Sequence, residues 1–389
     1  MSVLPALDNP SLELPDLAAI EAPLGEARGL PNQAYTSDAY LALERDRMWA
    51  GSWVAIGRAS QVPEAGDVRP VDLLGMPLFF VRARDGAVNV FHNVCRHRGM
   101  TLVTEAGHAG AVLTCPYHNW AYGFDGALRT TPHVGGSGIH TCQGFDSGKF
   151  GLKQVRSAVW FDQIFVNLSG DGVSFDDFIR PLAERWSMFD QSLIRHGGAD
   201  SVIGFDLDCN WKLAVENYCE AYHLPMVHPG LNSYSRLEDH YDIVVDDRFA
   251  GQGSLVYSPE RGGPALPVFP DLPEEWTTRA EYVALFPNIL LGIHFDHFYA
   301  VRLLPDGAGR VSETFDIYYV GEAPLGPDYD GVRRQVTAGW NEIFAEDQGV
   351  CEGMQVGRAS PGFDGGVLTP VMEQPTHCFH RWAARAMHV

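Results

Sequence analysis

CRHRGMTLVTEAGHAGAVLTCPYH, residues 95–118, sets a Cys95-x-His97 pair and a Cys115-x-x-His118 pair on either side of seventeen intervening residues. Each pair mixes one thiol with one imidazole. Zinc fingers group Cys with Cys and His with His, so a zinc site fits this pattern poorly. Two thiolates for one iron and two imidazoles for the other make the better match, a [2Fe–2S] cluster whose neutral ligands raise its reduction potential above that of an all-cysteine centre.

Around these pairs the chain from Trp53 to Leu168 reads as short apolar or alternating runs, such as WVAIG, MPLFFVRA and AVWFDQIFVNL, separated by PEAGD, ARDGA and GFDGA. This predicts a small all-β domain. Before it, residues 36–50 (TSDAYLALERDRMWA) read as a helix capped by Thr36 or Ser37. After it, helices are expected over 175–189 and along WKLAVENYCEAYH, where Pro225 must end or kink the second. Strand-like runs follow at 241–257, 281–303 and 311–320, then a helix over about 330–355. The whole reads as α+β, with a leading segment 1–50, a cluster domain 51–168 and a helix-flanked antiparallel-sheet domain 169–389. The Pro/Gly-rich stretch 259–275 reads as a surface loop or lid.

The surroundings C-R-H-R-G and C-P-Y-H-N-W-A-Y-G-F-D-G resemble the Rieske domains of ring-hydroxylating and related oxygenases, with Cys95, His97, Cys115 and His118 at the cluster-ligand positions. Asn119 departs from the Gly usual there and touches loop geometry, not a ligand. Cys142 reads as a small buried side chain.

The segment NWKLAVENYCEAYHLPMVHP, residues 210–229, resembles the iron-binding helix of the same family, with His223 and His228 as ligands. Alone, His-x4-His is weak evidence for a metal site. Two imidazoles and one carboxylate on one face of Fe(II) leave the opposite face open for O₂ and substrate. On WNEIFAEDQGVCEGMQ, residues 340–355, Asp347 lies within the apolar stripe of Ile343, Phe344, Val350, Cys351 and Met354, whereas Glu342, Glu346 and Glu352 lie off it. A carboxylate in a stripe needs a partner. A buried Arg would serve, but the family's E-D-x-x-x-C/V-E pattern makes Asp347 the third iron ligand. On a helical wheel Trp211, Val215, Tyr218, Cys219 and Tyr222 share one side and Glu216, Glu220 and His223 another. That second side is a solvated face by periodicity, while the resemblance turns it toward metal and subunit boundary and singles out Glu220 and Asn217.

The resemblance spans residue 35 to the C-terminus and implies an oxygenase α-subunit with an SRPBCC/Bet v1-like catalytic domain. Glu220 stands where aromatic-ring dioxygenases usually have Asp. With the closing segment GRASPGFDGGVLTPVMEQPTHCFHRW, it is similar to the branch of carnitine, glycine-betaine and proline-betaine oxygenases. The implied activity is O₂-dependent hydroxylation of a small quaternary ammonium compound, by N-demethylation or C-hydroxylation. An aromatic-ring or aryl-demethylating oxygenase is the alternative, and a Rieske electron carrier without a second metal a more distant one. A quaternary nitrogen calls for aromatic rings, and 293–303 (IHFDHFYAVRL) and Phe315 to Tyr319 supply them without defining a cage. The family also implies a head-to-tail homotrimer in which Glu220 links one subunit's cluster to its neighbour's iron.

No glycine fingerprint for a dinucleotide and no four-cysteine ferredoxin pattern occurs, so a separate NAD(P)H-dependent reductase is expected. A formal charge of −21 without a basic cluster argues against nucleic acid. Seven scattered cysteines fit thiols or metal ligands in a reducing compartment. With neither a signal-peptide pattern nor a long apolar run, a cytoplasmic protein away from membranes is expected.

Overall fold

In the computed structural model, which describes residues 12–388, two antiparallel sheets carry the two metal-ligand sets. The first has seven strands in the order Val54–Arg58, Gln163–Asn167, Gln154–Trp160, Val88–His92, Met76–Arg82, Asp67–Leu73 and Gly107–His108. A small three-stranded sheet, Leu113–Thr114, Ala121–Tyr122 and Leu128–Thr130, sits beside it. The Cys95 loop follows the strand Val88–His92, and the Cys115 loop closes the hairpin of Leu113–Thr114 and Ala121–Tyr122, so both lie on loops of β structure, as the alternating runs predict.

The second sheet runs Ile194–His196, Val311–Val320, His297–Pro305, Ile289–His294, Ala280–Leu285, Phe249–Ser254 and His240–Asp246, with Val202–Leu207 also paired to Val311–Val320. One face buries Phe161, Trp186, Phe298 and Tyr318, and the other packs Tyr282, Leu290, Tyr299 and Phe315 beneath the helices Trp211–Cys219, Asp330–Arg358 and Gln374–Ala386. The period-two alternation of the strands thus divides the aromatics of 293–303 between two layers. Gly292 is required where it stands, because a Cβ there would come within 2.2 Å of the Tyr299 ring on the adjoining strand.

Several expectations need correction. The leading helix is shorter than 36–50: Ser37 caps Asp38–Glu44, and a π-helical turn covers Arg45–Trp49. The second helix stops at Cys219, well before Pro225, and Glu220 is already extended with φ −124° and ψ 158°. Glu220 and His223 therefore share no helix face with Glu216, and Tyr222 is exposed instead of joining an apolar side. Glu216 does not face solvent. It is buried against Arg358 at 3.4 Å, His380 at 3.0 Å and the Tyr35 hydroxyl. The closing helix Gln374–Ala386 has no counterpart in the sequence reading. Residues 259–273 are irregular, as expected, but Leu266 and Phe269 anchor them in the core. Among the described residues no helix is long and apolar enough to cross a membrane.

Behind the helix Trp211–Cys219, Lys212 Nζ donates to Glu44 Oε1 at 2.7 Å, and both side chains are essentially solvent-free. Burial pushes the Glu44 pKa up and the Lys212 pKa down, and their contact opposes both shifts. Removing one member strands the other charge. Lys212→Met is expected to destabilise the protein by about 3–5 kcal/mol, while the double variant with Glu44→Gln recovers most of the loss. Thermal midpoints of the two variants against wild type check this, and equal midpoints for wild type and single variant contradict it.

Candidate active site

The first cluster loop is clamped by Asn93, whose Oδ1 accepts from Leu102 N at 3.1 Å and Val103 N at 2.9 Å. Within it Cys95 N donates to Met100 O at 2.7 Å, and in the second loop Cys115 N donates to Trp120 O at 2.8 Å. The two loops are thus closed by the same kind of backbone bond. Asn119 has φ +56°, the left-handed conformation that Gly adopts freely and Asn tolerates. That explains how Asn replaces Gly without disturbing the loop.

Cys95 and Cys115 are free thiols, 2% and 1% exposed, and the His97 and His118 ring centroids lie 4.6 Å apart. His97 stacks on Trp120 at 4.6 Å and 11°. His118 Nδ1 is buried with no protein partner. Two thiols, two imidazoles and an orphaned ring nitrogen fit a two-iron cluster held by these four residues. Cys142 is no part of this set, but it is exposed rather than buried. Its loop, about 133–149, lies mostly on the surface.

One further group addresses the cluster. Tyr122 Oη lies 3.2 Å from Cys95 Sγ and accepts from Arg96 N at 3.1 Å. With the acceptor side used, the phenol proton is free to donate to sulfur. Burial first, and then the Cys95 contact, push the Tyr122 pKa above its ordinary value, so it stays a donor. This tyrosine is not among the residues that the sequence singles out.

The mononuclear site forms where the chain bends after Cys219. Glu220 accepts from the amides of Tyr222 and His223, the latter at 3.2 Å, and its Oε1 holds His223 Nδ1 at 2.7 Å. A short turn, Leu224–Val227, then places His228, whose Nδ1 meets Glu346 Oε2 at 2.7 Å. Both Nε2 atoms point to Asp347 Oδ1, at 3.6 Å from His223 and 3.0 Å from His228. Potential ligand atoms of His223, His228 and Asp347 lie within 4.8 Å of one another. Each imidazole has its rear nitrogen fixed by a carboxylate and its front nitrogen toward a common point, the donor arrangement that a two-histidine, one-carboxylate iron requires. Asn217 Nδ2 donates to Asp347 Oδ1 at 3.1 Å. Burial opposes a charge on His228, but hydrogen bonding to Asp347 and Glu346 more than offsets it and raises the pKa.

The structure therefore brings together His223, His228, Asp347, Asn217 and Glu220, and adds Glu346. Glu346 lies off the apolar stripe, and the signal that could have found it is its place beside Asp347 in the E-D pattern. Asn217, Tyr218, Tyr282, Tyr299, Trp340 and Phe344 line a narrow inner pocket at the site. Trp340 and Ile343 also line an outer vestibule of about 640 Å³, together with Tyr234, Tyr257, Glu260 and Arg261.

Residues 52–143 match the Rieske [2Fe-2S] domain, and residues 194–388 match the catalytic domain of the ring hydroxylating alpha subunit. The chain belongs to the Rieske ring-hydroxylating oxygenase α-subunit family. The oxygenase is 30% identical to the glycine betaine monooxygenase oxygenase subunit of Chromohalobacter salexigens, over 100% of this chain and 96% of the relative. It is 28% identical to the chloroplastic choline monooxygenase of Arabidopsis thaliana, over 92% and 82%. Among solved structures, a quaternary ammonium Rieske monooxygenase with L-carnitine superposes with a TM-score of 0.78 at 20% identity, over 96% of this chain and 99% of the other. Naphthalene 1,2-dioxygenase from a Rhodococcus species superposes at 0.71 and 18% identity, over 92% and 94%. The oxygenase thus has the fold of Rieske α-subunits, with a [2Fe–2S] domain and a catalytic domain for mononuclear iron.

Tyr122→Phe is expected to keep the Rieske absorption and EPR signals while lowering the cluster potential by about 50 mV, since the reduced, more negative cluster loses a donor to sulfur. Redox titration of the purified protein checks it, and an unchanged potential removes the bond. At the second site, Asp347→Ala is expected to lose the mononuclear iron and turnover with the cluster spectrum intact. Glu346→Gln is expected to weaken iron retention by about 10–100-fold. Iron content after graded chelation separates the variants, and wild-type retention in either contradicts the ligand arrangement.

Proposed function

We propose that the oxygenase oxidises a small quaternary ammonium compound, by N-demethylation or C-hydroxylation, with electrons from a separate NAD(P)H-dependent reductase. The observation that carries this reading is the wall of the inner pocket, where Tyr218, Tyr282, Tyr299 and Trp340 surround the approach to the iron ligands. A quaternary nitrogen offers no N–H, and aromatic faces are the groups that bind it. The guanidiniums beside this route are already engaged: Arg261 pairs with Asp296 at 2.6 Å, and Arg236 with Glu238 at 3.0 Å. The glycine betaine and choline monooxygenases among its relatives point the same way.

The chain is a Rieske non-haem iron monooxygenase. When bound, the cluster would supply electrons one at a time, and the mononuclear iron would supply the O₂ activation needed for attack on a substrate C–H bond. The protein's part is to prepare that encounter. His223, His228 and Asp347 would hold the iron, and the inner pocket opens beside them. Glu220 and Glu346 fix the two imidazole planes, and Asn217 keeps one Asp347 oxygen oriented. The aromatic walls bring a cationic head group to the open side and keep bulk water out.

Glu220 has a second role in this reading, as the link between a cluster and an iron across the boundary of a head-to-tail homotrimer. Its side chain is 13% exposed beside His223, and the exposed Tyr222 and Met226 flank it. Exposed Tyr117 and Met100 flank the cluster loops in the same way. Two apolar rims around two metal sites suit contact between neighbouring subunits.

The test is turnover with a purified reductase, following formaldehyde and NADH over a panel of quaternary amines and aromatic acids. Oxidation of a quaternary amine is expected, and turnover of aromatic acids alone overturns the reading. Glu220→Gln is expected to retain both metals and the native mass of a trimer, yet to slow single-turnover reoxidation of the cluster by at least about tenfold. Reoxidation at the wild-type rate removes Glu220 from the electron path.

A further inference from the structure

Trp340 stands where the inner pocket and the vestibule meet, and its indole is tied from behind by buried polar side chains. Its Nε1 lies 3.0 Å from His297 Nε2. His297 Nδ1 lies 2.6 Å from Asp296 Oδ1, and Asp296 Oδ2 accepts from Arg261 Nη1 at 2.6 Å. An indole N–H can only donate, so His297 Nε2 accepts. The neutral imidazole then carries its proton on Nδ1 and donates it to Asp296. Each bond thus dictates the next.

Other contacts agree with a neutral His297. The ring is fully buried, and His294 stacks on it with centroids 4.1 Å apart at 6°, an arrangement that two imidazolium rings would oppose. Burial lowers the His297 pKa, and the neighbouring Asp296 only partly counters that. The outer end of the chain is also fixed. Gly262, next to Arg261, exchanges bonds with Gln335 of the helix that carries Trp340: Gly262 N donates to Oε1 at 2.8 Å, and Nε2 donates to Gly262 O at 2.9 Å. The loop at the vestibule mouth and the ring at the inner passage are therefore one connected unit.

We propose that Arg261, Asp296 and His297 are positioning residues that lock the indole of Trp340 in the passage and thereby set the oxygenase's preference for a cationic head group over a neutral one of the same shape. The proposal rests on the quaternary ammonium reading above and deepens it. Cation binding by an aromatic ring depends on which part of the ring the cation meets, face or edge. A tethered indole presents the same part at every encounter.

The experiment compares choline with its uncharged isostere 3,3-dimethylbutan-1-ol as ligands of the holoenzyme, measuring a dissociation or inhibition constant for each. Wild type is expected to prefer the cation. His297→Phe, which keeps a ring but removes both bonds, is expected to reduce that preference by about tenfold, with the Rieske spectrum and iron content unchanged. Trp340→Leu is expected to do the same, and the double variant to lose no more. His297→Gln, whose amide can accept from the indole, is expected to restore most of the preference. A general loosening of the fold would weaken both ligands alike and leave the ratio unmoved. If His297→Phe does not retain its cluster, Arg261→Gln at the vestibule rim carries the test, with an expected loss of about threefold. Variants that keep the wild-type ratio overturn the positioning role alone. A wild type that does not distinguish the cation overturns the quaternary ammonium reading as well.

Discussion

The mononuclear site depends on one geometric constraint: His223 and His228, five positions apart, must aim their Nε2 atoms at one carboxylate. On an unbroken α-helix, residues five apart point about 140° away from each other. The helix Trp211–Cys219 therefore has to end before the first histidine, and it does so at Glu220. The carboxylate of that residue takes the first free amides of the bend and also the Nδ1 of His223. One side chain thus terminates the helix, shapes the turn and orients an imidazole. Asp347, the carboxylate that both imidazoles face, lies on another helix, so the two helices must be held in register, and the bond from Asn217 to Asp347 spans them directly.

Register is enforced further back by buried charge. Glu216, on the helix that leads into the bend, contacts Arg358, at the end of the helix that carries Asp347, and His380 on the closing helix. Burial opposes ionisation of Glu216, and the His380 and Arg358 charges outweigh it, so its pKa is lowered. Lys212, a turn earlier, reaches Glu44 in the leading segment. Such contacts contribute little net stability compared with well-packed apolar residues, but a shifted register strands several charges at once. Here they connect three helices and the leading segment around the metal site.

What the sequence could disclose follows from how local each signal is. Both Cys/His pairs sit on short loops bounded by strands, and such loops are legible from spacing and residue type. Asp347, which the structure sets against His223 and His228, stands out because a carboxylate in an apolar stripe contradicts the helix around it. Glu346 could not be found in that way, since on the stripe's edge it looks like any solvated residue. The early end of the helix before Glu220 escaped because ENYCEAY contains neither Gly nor Pro, and the cause of the break is a side chain returning to its own backbone. Glu216 was misjudged for the opposite reason: its partners, Arg358 and His380, lie far along the chain. The aromatic pocket draws on four separate elements, with Tyr218 and Trp340 on helices and Tyr282 and Tyr299 on strands, and no linear pattern unites them.

The chain's strong acidity acquires a local meaning at the iron. Glu220, Glu346 and Asp347 place three carboxylates on the two histidines. Glu313 is buried on the same side of the sheet, and burial first and then the Asp347 charge push its pKa up to about 8. These carboxylates lie at the inner end of an aromatic pocket whose neighbouring guanidiniums are already paired. The field in the pocket is therefore set by its acids, and a cationic head group is the ligand on which this field and the aromatic faces of the proposed reading agree.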